Sequence, residues 1–261
     1  MLRIDAPGGP WQNPPPFGEE SRVSASLTIV MAAFNEEEAL PACVAQNLAF
    51  LRTHIADGEL IIVDDGSKDG TGALIDALAR EHPEVRAFHL ERNSGMGAAL
   101  LRGFAEARKE WVTIMPADGQ IDPFEIMDFL AVSEDADLIT SLYHNRKYPP
   151  GRKVLSLGLR ALTTVIVGTR ARTEGIYLVR RSVLERLGAS SHSFLLNLEI
   201  PIRAKRGGYR VKTVYMSVHD RSAGVSKATS ARRVVQTFEE LFKLRLKMER
   251  ERLERLLPGR K

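Results

Sequence analysis

Four clusters of polar residues in the first half of the chain carry side chains that could do chemistry. The clusters contain Asn35 and Glu36, Asp64 and Asp65, Arg92 and Asn93, and Asp118 and Gln120. Carboxylates accept hydrogen bonds from a base or a ribose, and one or two of them, with phosphate oxygens, hold Mg²⁺ or Mn²⁺. Such a metal offsets the charge on a departing diphosphate. The residue types of the clusters are therefore compatible with binding of a nucleotide diphosphate and a divalent metal.

Each cluster comes directly after an apolar run that has the length of a buried strand. The runs are 27–33, 60–63, 86–90 and 111–115, and helical periodicity marks the intervening segments 40–55, 71–81 and 97–109. This alternation predicts an α/β fold, a mostly parallel sheet with helices on both faces. Because ligands bind at the carboxyl ends of such strands, we expect the four clusters to share one crevice. Asp118 and Gln120, two residues apart in extended chain, are expected to point to the same side.

Each cluster also has a purely local explanation. The segments 65–71 and 93–97 are rich in turn-forming residues, Asp118-Gly119 is a common turn pair, and the acids of 36–38 favour a helix N-terminus. Four such turns with ligand-like chemistry, all at one predicted sheet edge, favour a shared function over four coincidences.

Charge divides the chain into an acidic half and a basic half. Residues 1–140 hold 10 basic and 24 acidic side chains, whereas residues 141–261 hold 27 basic and 9 acidic ones. A basic half suits an anionic membrane, phosphorylated substrates or nucleic acid. Aromatic residues make up only 7% of the chain, which argues against a base-stacking platform, so no nucleic acid partner is expected. The single cysteine, Cys43, excludes an internal disulfide and a multi-cysteine metal site, and its apolar neighbours predict a buried thiol.

The chain is expected to consist of three parts. Residues 1–23 are rich in proline and glycine and predict a disordered leader, residues 24–230 a catalytic domain, and residues 231–261 a basic C-terminal helix. The later part of the domain is expected to hold a helix over 194–206 and a strand pair over 209–218. The sequence shows no signal peptide and no apolar run of about 18 residues. We therefore expect a cytoplasmic protein, peripheral on the cytoplasmic face of a membrane.

Contact with an anionic membrane surface is expected from the amphipathic stretch 153–167, which basic residues flank. The alternative for this stretch is a helix that packs on the sheet and has a solvated basic rim. The C-terminal helix could add to the membrane contact or could mediate dimerisation. A homo-oligomer and a membrane subunit therefore both stay open as partners.

The ordered set of motifs resembles the inverting family 2 glycosyltransferases, and within them the dolichol-phosphate mannosyltransferase-like branch. The matching segments are 29–36, 62–71, 92–98, 117–120, 198–210 and 221–227. The resemblance implies the GT-A type of nucleotide-sugar fold and a dependence on Mg²⁺ or Mn²⁺. It also implies transfer of a sugar from a nucleotide-diphosphate donor to a polyprenyl-phosphate acceptor. Such an acceptor is already an anionic nucleophile, so no strong general base is required.

The resemblance also implies roles for individual residues. Asp118 and Gln120 would hold the metal and the diphosphate, and Asp64 the base or ribose. The rest of the donor site would be formed by Ala33, Asn35, Glu36, Asp65, Gly66, Arg92, Asn93 and Gly97. The residues that would contact the acceptor phosphate or close over the phosphates are Arg152, Ser156, Arg221 and Lys227. Arginine suits phosphate because its fork is bidentate, and lysine acts as a compact point charge.

Three positions depart from the family pattern or leave alternatives open. Pro116 stands where the family has the first aspartate of its metal motif, so only one carboxylate remains there. Leu142 replaces an arginine that is often found just after the strand at Ser141, with His144 and Arg146 nearby as candidate substitutes. If the acceptor were a soluble hydroxyl compound or a polysaccharide, a general base would be needed, and Glu199 is the candidate. The loss at Pro116 leaves a third hypothesis, a non-catalytic protein that binds nucleotide sugars.

Overall fold

The computed structural model describes residues 22–144, 164, 166–168, 173–217 and 231–256; side chains of 231–238, 255 and 256 are outside this description. The strands are β1 (Val23–Ala33), β2 (Ile55–Asp64), β3 (Val85–His89), β4 (Trp111–Ile114), β5 (Leu138–Tyr143), β6 (Tyr177–Arg180) and β7 (Val211–Met216). The helices are α1 (Leu40–His54), α2 (Thr71–Glu81), α3 (Met96–Glu106), α4 (Ile126–Leu130), α5 (Arg181–Leu187), α6 (Leu196–Arg206) and α7 (Ala231–Leu256). One 3₁₀ turn, Pro123–Glu125, precedes α4.

The described strands form one sheet in the order β3-β2-β1-β4-β6-β5-β7. Strands β1 to β4 are mutually parallel, β6 is antiparallel to both β4 and β5, and β5 is parallel to β7. The predicted mostly parallel sheet is therefore confirmed. Because β6 is antiparallel to both of its neighbours, β5 and β7 run in the same direction as β1 to β4. Six strands therefore have their carboxyl ends at one edge of the sheet. That edge is called the carboxyl edge below.

Helices cover the sheet because its central strands are apolar on both faces. Ile29, Val30, Leu60 and Ile62 are fully buried. From β1 through β2 to β3 the chain adds strands toward one side of the sheet, and it then crosses back to place β4 on the other side of β1. Because these crossovers are right-handed, α1 and α2 lie on one face of the sheet and α3 lies on the other. Helix α3 approaches so closely that a Cβ on Gly103 would lie 2.3 Å from Cγ1 of Val30.

Two expectations for the second half need correction or extension. The segment around 209–218 does not form a strand pair: its described part is the single strand β7, which pairs with β5 from Leu138↔Val211 to Tyr143↔Met216. The antiparallel strand β6 is a further element that the sequence analysis does not anticipate. The helices expected over 71–81 and 194–206 are confirmed as α2 and α6.

The C-terminal helix α7 packs onto the sheet domain. Leu241, Leu244 and Met248 form a small apolar cluster with residues that belong to the preceding chain, namely Val167, Leu195 and Ile202. Within the described parts of the chain, no helix combines the length and the apolar character that crossing a bilayer requires. The expected leader and most of the stretch 153–167 lie outside the described residues.

Candidate active site

Asp64 and Asp65 lie where β2 reaches the carboxyl edge, and both are buried. Asp64 accepts a hydrogen bond from the backbone N–H of Ser67 (2.9 Å). Asp65 uses both carboxylate oxygens, one for the N–H of Ser94 (2.7 Å) and one for the N–H of Gly95 (3.0 Å). Asp65 therefore fixes the turn after β2 to the loop that follows β3.

Gly66 makes this contact between the two loops sterically feasible. Its φ is +68°, in the left-handed region, and a Cβ there would lie 2.5 Å from the carbonyl carbon of Arg92. Glycine suits such a position because it has no Cβ to clash. The Asp64–Gly66 turn and the Arg92–Asn93 turn thus lie against each other, as the sequence predicts.

The turn after β1 is bonded to the turn after β2. Asn35, at φ +54°, accepts from the N–H of Lys68 (2.9 Å) and donates its own N–H to Oγ of Ser67 (2.9 Å). The N–H of Glu36 donates to Oγ1 of Thr71 (3.0 Å). Ala33 is buried, and its carbonyl accepts from the N–H of Asp65 (2.8 Å). The structure therefore brings the predicted residues of β1 and β2 together.

Asp118 lies in the turn after β4, the strand next to β1. Its Oδ1 accepts from the backbone N–H of Gln120 (3.2 Å), and Gly119 between them has a φ of +68°. The expectation of an extended Asp118–Gln120 segment is therefore wrong. The chain turns at Gly119, and the carboxylate of Asp118 accepts the backbone N–H of Gln120, so the two side chains are not arranged as in an extended strand.

Cys43 connects this turn to helix α1. Its thiol is buried, as predicted, and donates to the carbonyl of Ala117 (3.0 Å). Burial raises the pKa of Cys43, and the negative charges of Asp118 and then Glu36 raise it further. The bond from Cys43 to Ala117 joins the Asp118 turn to α1, and the N–H of Leu40 at the start of α1 donates to the carbonyl of Glu36 (2.9 Å), so both turns are attached to the same helix.

Comparison with known proteins identifies the family. The model of glycosyl transferase family 2 matches residues 28–195, which include all four turns. The chain belongs to this family. It is similar to the polyprenol monophosphomannose synthase of Mycolicibacterium smegmatis, with 33% identity over 80% of this chain and 83% of that protein.

Two further relatives are longer than this chain. The dolichyl-phosphate beta-glucosyltransferase ALG5A of Trichomonas vaginalis is 30% identical over 72% of this chain and 64% of its own length. The undecaprenyl-phosphate 4-deoxy-4-formamido-L-arabinose transferase of Proteus mirabilis is 29% identical over 77% of this chain and 62% of its own length. The chain thus spans just under two thirds of either protein.

A solved structure shares the fold. The glucosyl-3-phosphoglycerate synthase of Mycobacterium tuberculosis, in complex with Mn²⁺, UDP and phosphoglyceric acid, superposes with a TM-score of 0.61 at 20% identity, covering 86% of this chain and 81% of that chain. The expected GT-A type of fold is therefore confirmed.

The metal motif of this family 2 member is reduced. Among the described residues, no group of three or more His, Cys, Asp or Glu side chains could hold a metal ion. As the ligands that the resemblance implies, Asp118 would offer one carboxylate and Gln120 one amide oxygen, and Pro116 would offer none. Two oxygen ligands from the protein suit Mg²⁺ or Mn²⁺ when phosphate and water supply the remaining ligands of the metal.

Other predicted positions of the family site have different surroundings. Gly97 is buried beneath the segment that joins α5 and α6: a Cβ there would lie 2.4 Å from the carbonyl oxygen of Ser191. Arg92 and Asn93 are exposed. Arg152, Ser156, Arg221 and Lys227 lie outside the described residues, so their assignment to the acceptor stays a prediction.

Glu199 does not have the surroundings of a general base. It is fully buried in α6. One carboxylate oxygen accepts from Nε of Arg203 (2.6 Å), and the other accepts from the backbone N–H groups of Ser190 (3.2 Å) and Ser191 (2.8 Å). A base must reach the proton that it abstracts. The structure therefore favours an orienting role for Glu199.

His89 was not anticipated from the sequence. It lies in the part of the carboxyl edge that the ends of β1 to β4 form, called the donor edge below because the donor site is proposed there. It ends β3, pairs in register with Asp64, and places Nδ1 3.4 Å from Asp64 and Nε2 2.9 Å from Asp76. Burial lowers the pKa of His89, but the two carboxylates outweigh burial and the net shift is upward. An imidazole whose pKa is raised thus lies beside the proposed nucleoside ligand Asp64. Its signal was its position at the end of the third apolar run.

Glu125 is a second missed residue, at the start of α4. Its Oε1 accepts from the N–H of Ser217 (3.2 Å), which follows β7 at the carboxyl edge. Burial raises the pKa of Glu125 to about 7, and the charges of Asp128 and Asp122 act in the same direction, against the hydrogen bond from Ser217. No feature of the sequence distinguishes Glu125 from a surface acid of a helix.

The raised pKa of Glu125 predicts how a Glu125→Gln variant responds to pH. The folded protein holds this proton more tightly than the unfolded chain, so the wild type loses stability as pH rises from about 4.5 through about 7. Glutamine does not titrate. Urea unfolding should therefore show the variant gaining free energy of unfolding relative to the wild type between pH 4.5 and pH 8. A difference that is equal at both pH values would contradict the prediction.

Proposed function

We propose that this family 2 protein transfers a sugar, with inversion, from a nucleotide-diphosphate donor to a polyprenyl-phosphate lipid at a membrane surface. One observation carries the proposal: the relatives are named for different sugars, but each name contains a polyprenol or a polyprenyl-type phosphate. The first of them covers 80% of the chain. The gathered turns at the carboxyl edge supply the donor half of such a site.

In the proposed reaction, a phosphate oxygen of the lipid attacks the anomeric carbon from the face opposite the diphosphate. The new bond joins that oxygen to the carbon, and the bond from the carbon to the diphosphate oxygen breaks. Asp118 and Gln120 would hold the metal, which when bound offsets charge on the leaving nucleoside diphosphate. Asn35, Glu36 and Asp64 would orient the nucleoside.

The proposal is tested by incubating the full chain with Mn²⁺, labelled UDP-, GDP- or dTDP-sugars and a short polyprenyl phosphate. A lipid-extractable labelled product with at least one donor is the expected result. The control is the same mixture with a polyprenol that lacks the phosphate. No lipid-linked product with any donor, while a known synthase works in parallel, would contradict the proposal.

The same assay separates the two alternatives. A soluble hydroxyl acceptor would require a general base, and the burial of Glu199 removes the candidate that the sequence offers. A non-catalytic nucleotide-sugar-binding protein would bind a donor and show neither transfer nor slow hydrolysis of it. Metal-dependent hydrolysis of the donor without any lipid would therefore count against a mere binding protein.

The peripheral membrane contact is also proposed, and α7 supports it. Phe242, Leu246 and Leu253 are each more than half exposed and lie on the side of α7 away from its buried cluster. Three acids of α7, Glu240, Glu249 and Glu251, bond inward, to Ser193, Arg206 and Arg203, whereas Glu239 and Glu254 are exposed and Glu254 pairs with Arg250 (2.8 Å). Exposed Lys243, Arg250 and Arg252 lie beside the apolar stripe. An exposed apolar stripe with basic residues beside it suits anionic lipid.

Sedimentation with vesicles tests the membrane contact. The full chain should sediment with phosphatidylcholine vesicles that contain phosphatidylglycerol and much less with phosphatidylcholine alone. A Phe242→Ser, Leu246→Ser variant should lose this binding, whereas Tyr215→Ser, a change of an exposed aromatic residue on β7, should not. Equal binding of both variants, or loss of a dimer in light scattering, would contradict the lipid assignment.

A further inference from the structure

We propose that Glu199 is a positioning residue for the sugar-nucleotide donor, acting through the segment 190–193 between α5 and α6. The inference rests on the proposed function only in requiring that the carboxyl edge binds a nucleoside diphosphate. It assigns a donor-binding task to a residue that touches no substrate, and it gives α7 a task besides membrane contact.

Glu199 holds one end of the segment 190–193. A single oxygen of its buried carboxylate accepts the N–H groups of both Ser190 and Ser191. Hydrogen bonds to a charged acceptor are roughly twice as strong as those between neutral groups. The backbone of the segment 190–193 is thus bonded to α6 through Glu199, and this attachment does not use the side chains of the segment.

The other side of the segment rests on the first turn of α3. The carbonyl of His192 accepts from the N–H of Ala98 (3.2 Å), which also donates to the carbonyl of Gly95 (2.9 Å) at the start of the helix. A Cβ on Gly95 would lie 2.6 Å from that carbonyl oxygen, and one on Gly97 would lie 2.5 Å from the carbonyl oxygen of Ser193. Backbone therefore packs on backbone, so a shift of the segment must shift the start of α3.

The start of α3 is part of the donor edge. The N–H of Gly95 donates to Asp65, and the same carboxylate holds the N–H of Ser94. A continuous set of contacts thus leads from Glu199 through the segment 190–193 and Gly95 to Asp65. No step in it involves a flexible side chain on the segment.

Arg203 and α7 fix Glu199 from the opposite side. Arg203 donates to Glu199 and also reaches Glu251 with two bonds, of 2.7 and 3.2 Å. The helix also contacts the segment directly, through Lys247 to Ser190 (2.5 Å) and Glu240 to Ser193 (2.5 Å). The buried carboxylate is therefore satisfied on both oxygens, and the C-terminal helix braces the donor edge.

The test uses Glu199→Gln, which keeps the shape of the side chain but removes its charge. Glutamine presents one acceptor oxygen where the carboxylate serves three donors. We expect the KM for the nucleotide sugar and the Kd for the free nucleoside diphosphate to rise about tenfold. Turnover at saturating donor and the KM for the lipid acceptor should change by less than about threefold. The matched control is Glu185→Gln, because Glu185 forms an exposed i,i+4 pair with Arg181 on α5.

Calorimetric titration with UDP, GDP and dTDP in the presence of Mn²⁺ gives a readout that needs no acceptor. If the wild type binds none of the three, the proposed function fails at its donor half. If the wild type binds and Glu199→Gln binds equally well, the positioning role is overturned. A lower turnover with loss of one limb of the pH profile, at unchanged donor affinity, would instead establish a general base and overturn it.

Glu251→Gln keeps the proposal testable if Glu199→Gln does not fold. Glu251 lies on α7 and is partly exposed, so the change is mild. Donor affinity should fall by about two- to fivefold, in the same direction as for Glu199→Gln, because Arg203 then holds Glu199 less firmly. An unchanged donor Kd in folded Glu251→Gln would contradict the link between α7 and the donor edge.

Discussion

Replacing Asp118 by asparagine is expected to lower turnover about 10²–10³-fold while the fold stays intact. Asp118 is the one carboxylate proposed to hold the metal, since Pro116 stands where the family has a first aspartate. Its removal would weaken binding of the metal that offsets the charge on the departing diphosphate. The fold should persist because asparagine can still accept from the N–H of Gln120, and the side chain is partly exposed. Steady-state kinetics at saturating Mn²⁺ and thermal unfolding measure the two effects.

Asp122→Asn is the matched control, four residues along the same loop. Asp122 is exposed and accepts from the N–H of Phe124 (3.0 Å), a local capping bond that asparagine can also make. Its turnover should stay within about threefold of the wild type. If both variants were equally impaired, the loop conformation rather than the Asp118 charge would explain the loss.

The strands of the donor half are predictable because each is an apolar run that must be buried on both faces. Their bounds are less predictable. Strand β2 begins five residues before its apolar run, since the polar residues 57–59 pair with β1. Glu59 is buried there and accepts from Thr28 (2.7 Å) and from the N–H of Arg108 (2.7 Å). Because the partners of this buried acid lie 31 and 49 residues away in the sequence, no local pattern predicts that Glu59 belongs to a strand.

The proposed donor site is predictable in the types of its residues but not in the contacts between them. Polar residues at four strand ends indicate a shared crevice, and Asn35, Asp65 and Asp118 do lie at one sheet edge. The sequence does not reveal that Asn35 binds the turn after β2 or that Asp65 binds the loop after β3. The Asp118 turn could have been predicted from the sequence, because Gly119 readily adopts the positive φ at which the chain turns.

Strand β6 shows the limit of pattern reading in the second half. Its four residues, Tyr177–Arg180, are mostly buried and apolar, but a run of this length fits several elements. Its place between β4 and β5 depends on pairing with Trp111 on one side and Leu138 on the other. Those partners are 69 and 41 residues away in the chain, and local propensity says nothing about them.

Asp65→Asn should give the largest loss of stability among the donor-edge changes considered. Each oxygen of this buried carboxylate accepts one backbone N–H, from Ser94 and Gly95. Asparagine offers one acceptor oxygen, and its NH₂ group would face the other N–H, so two donors would meet in a site that excludes water. The expected cost is about 1.5–3 kcal/mol in the free energy of unfolding. For a chain of this size that lowers Tm by roughly 3–12 °C.

Asp69→Asn separates this effect from the general loss of an acid near the site. Asp69 also accepts a backbone N–H, from Thr71 (3.1 Å), but it is exposed, so water replaces a lost bond. Its Tm should stay within about 2 °C of the wild type.

Because Asp65 also receives the contact that runs from Glu199, Asp65→Asn should weaken nucleoside diphosphate binding in the same titration. Combining it with Glu199→Gln should add little further loss, since both changes release the same loop. Fully additive losses would mean that the two residues act on the donor independently.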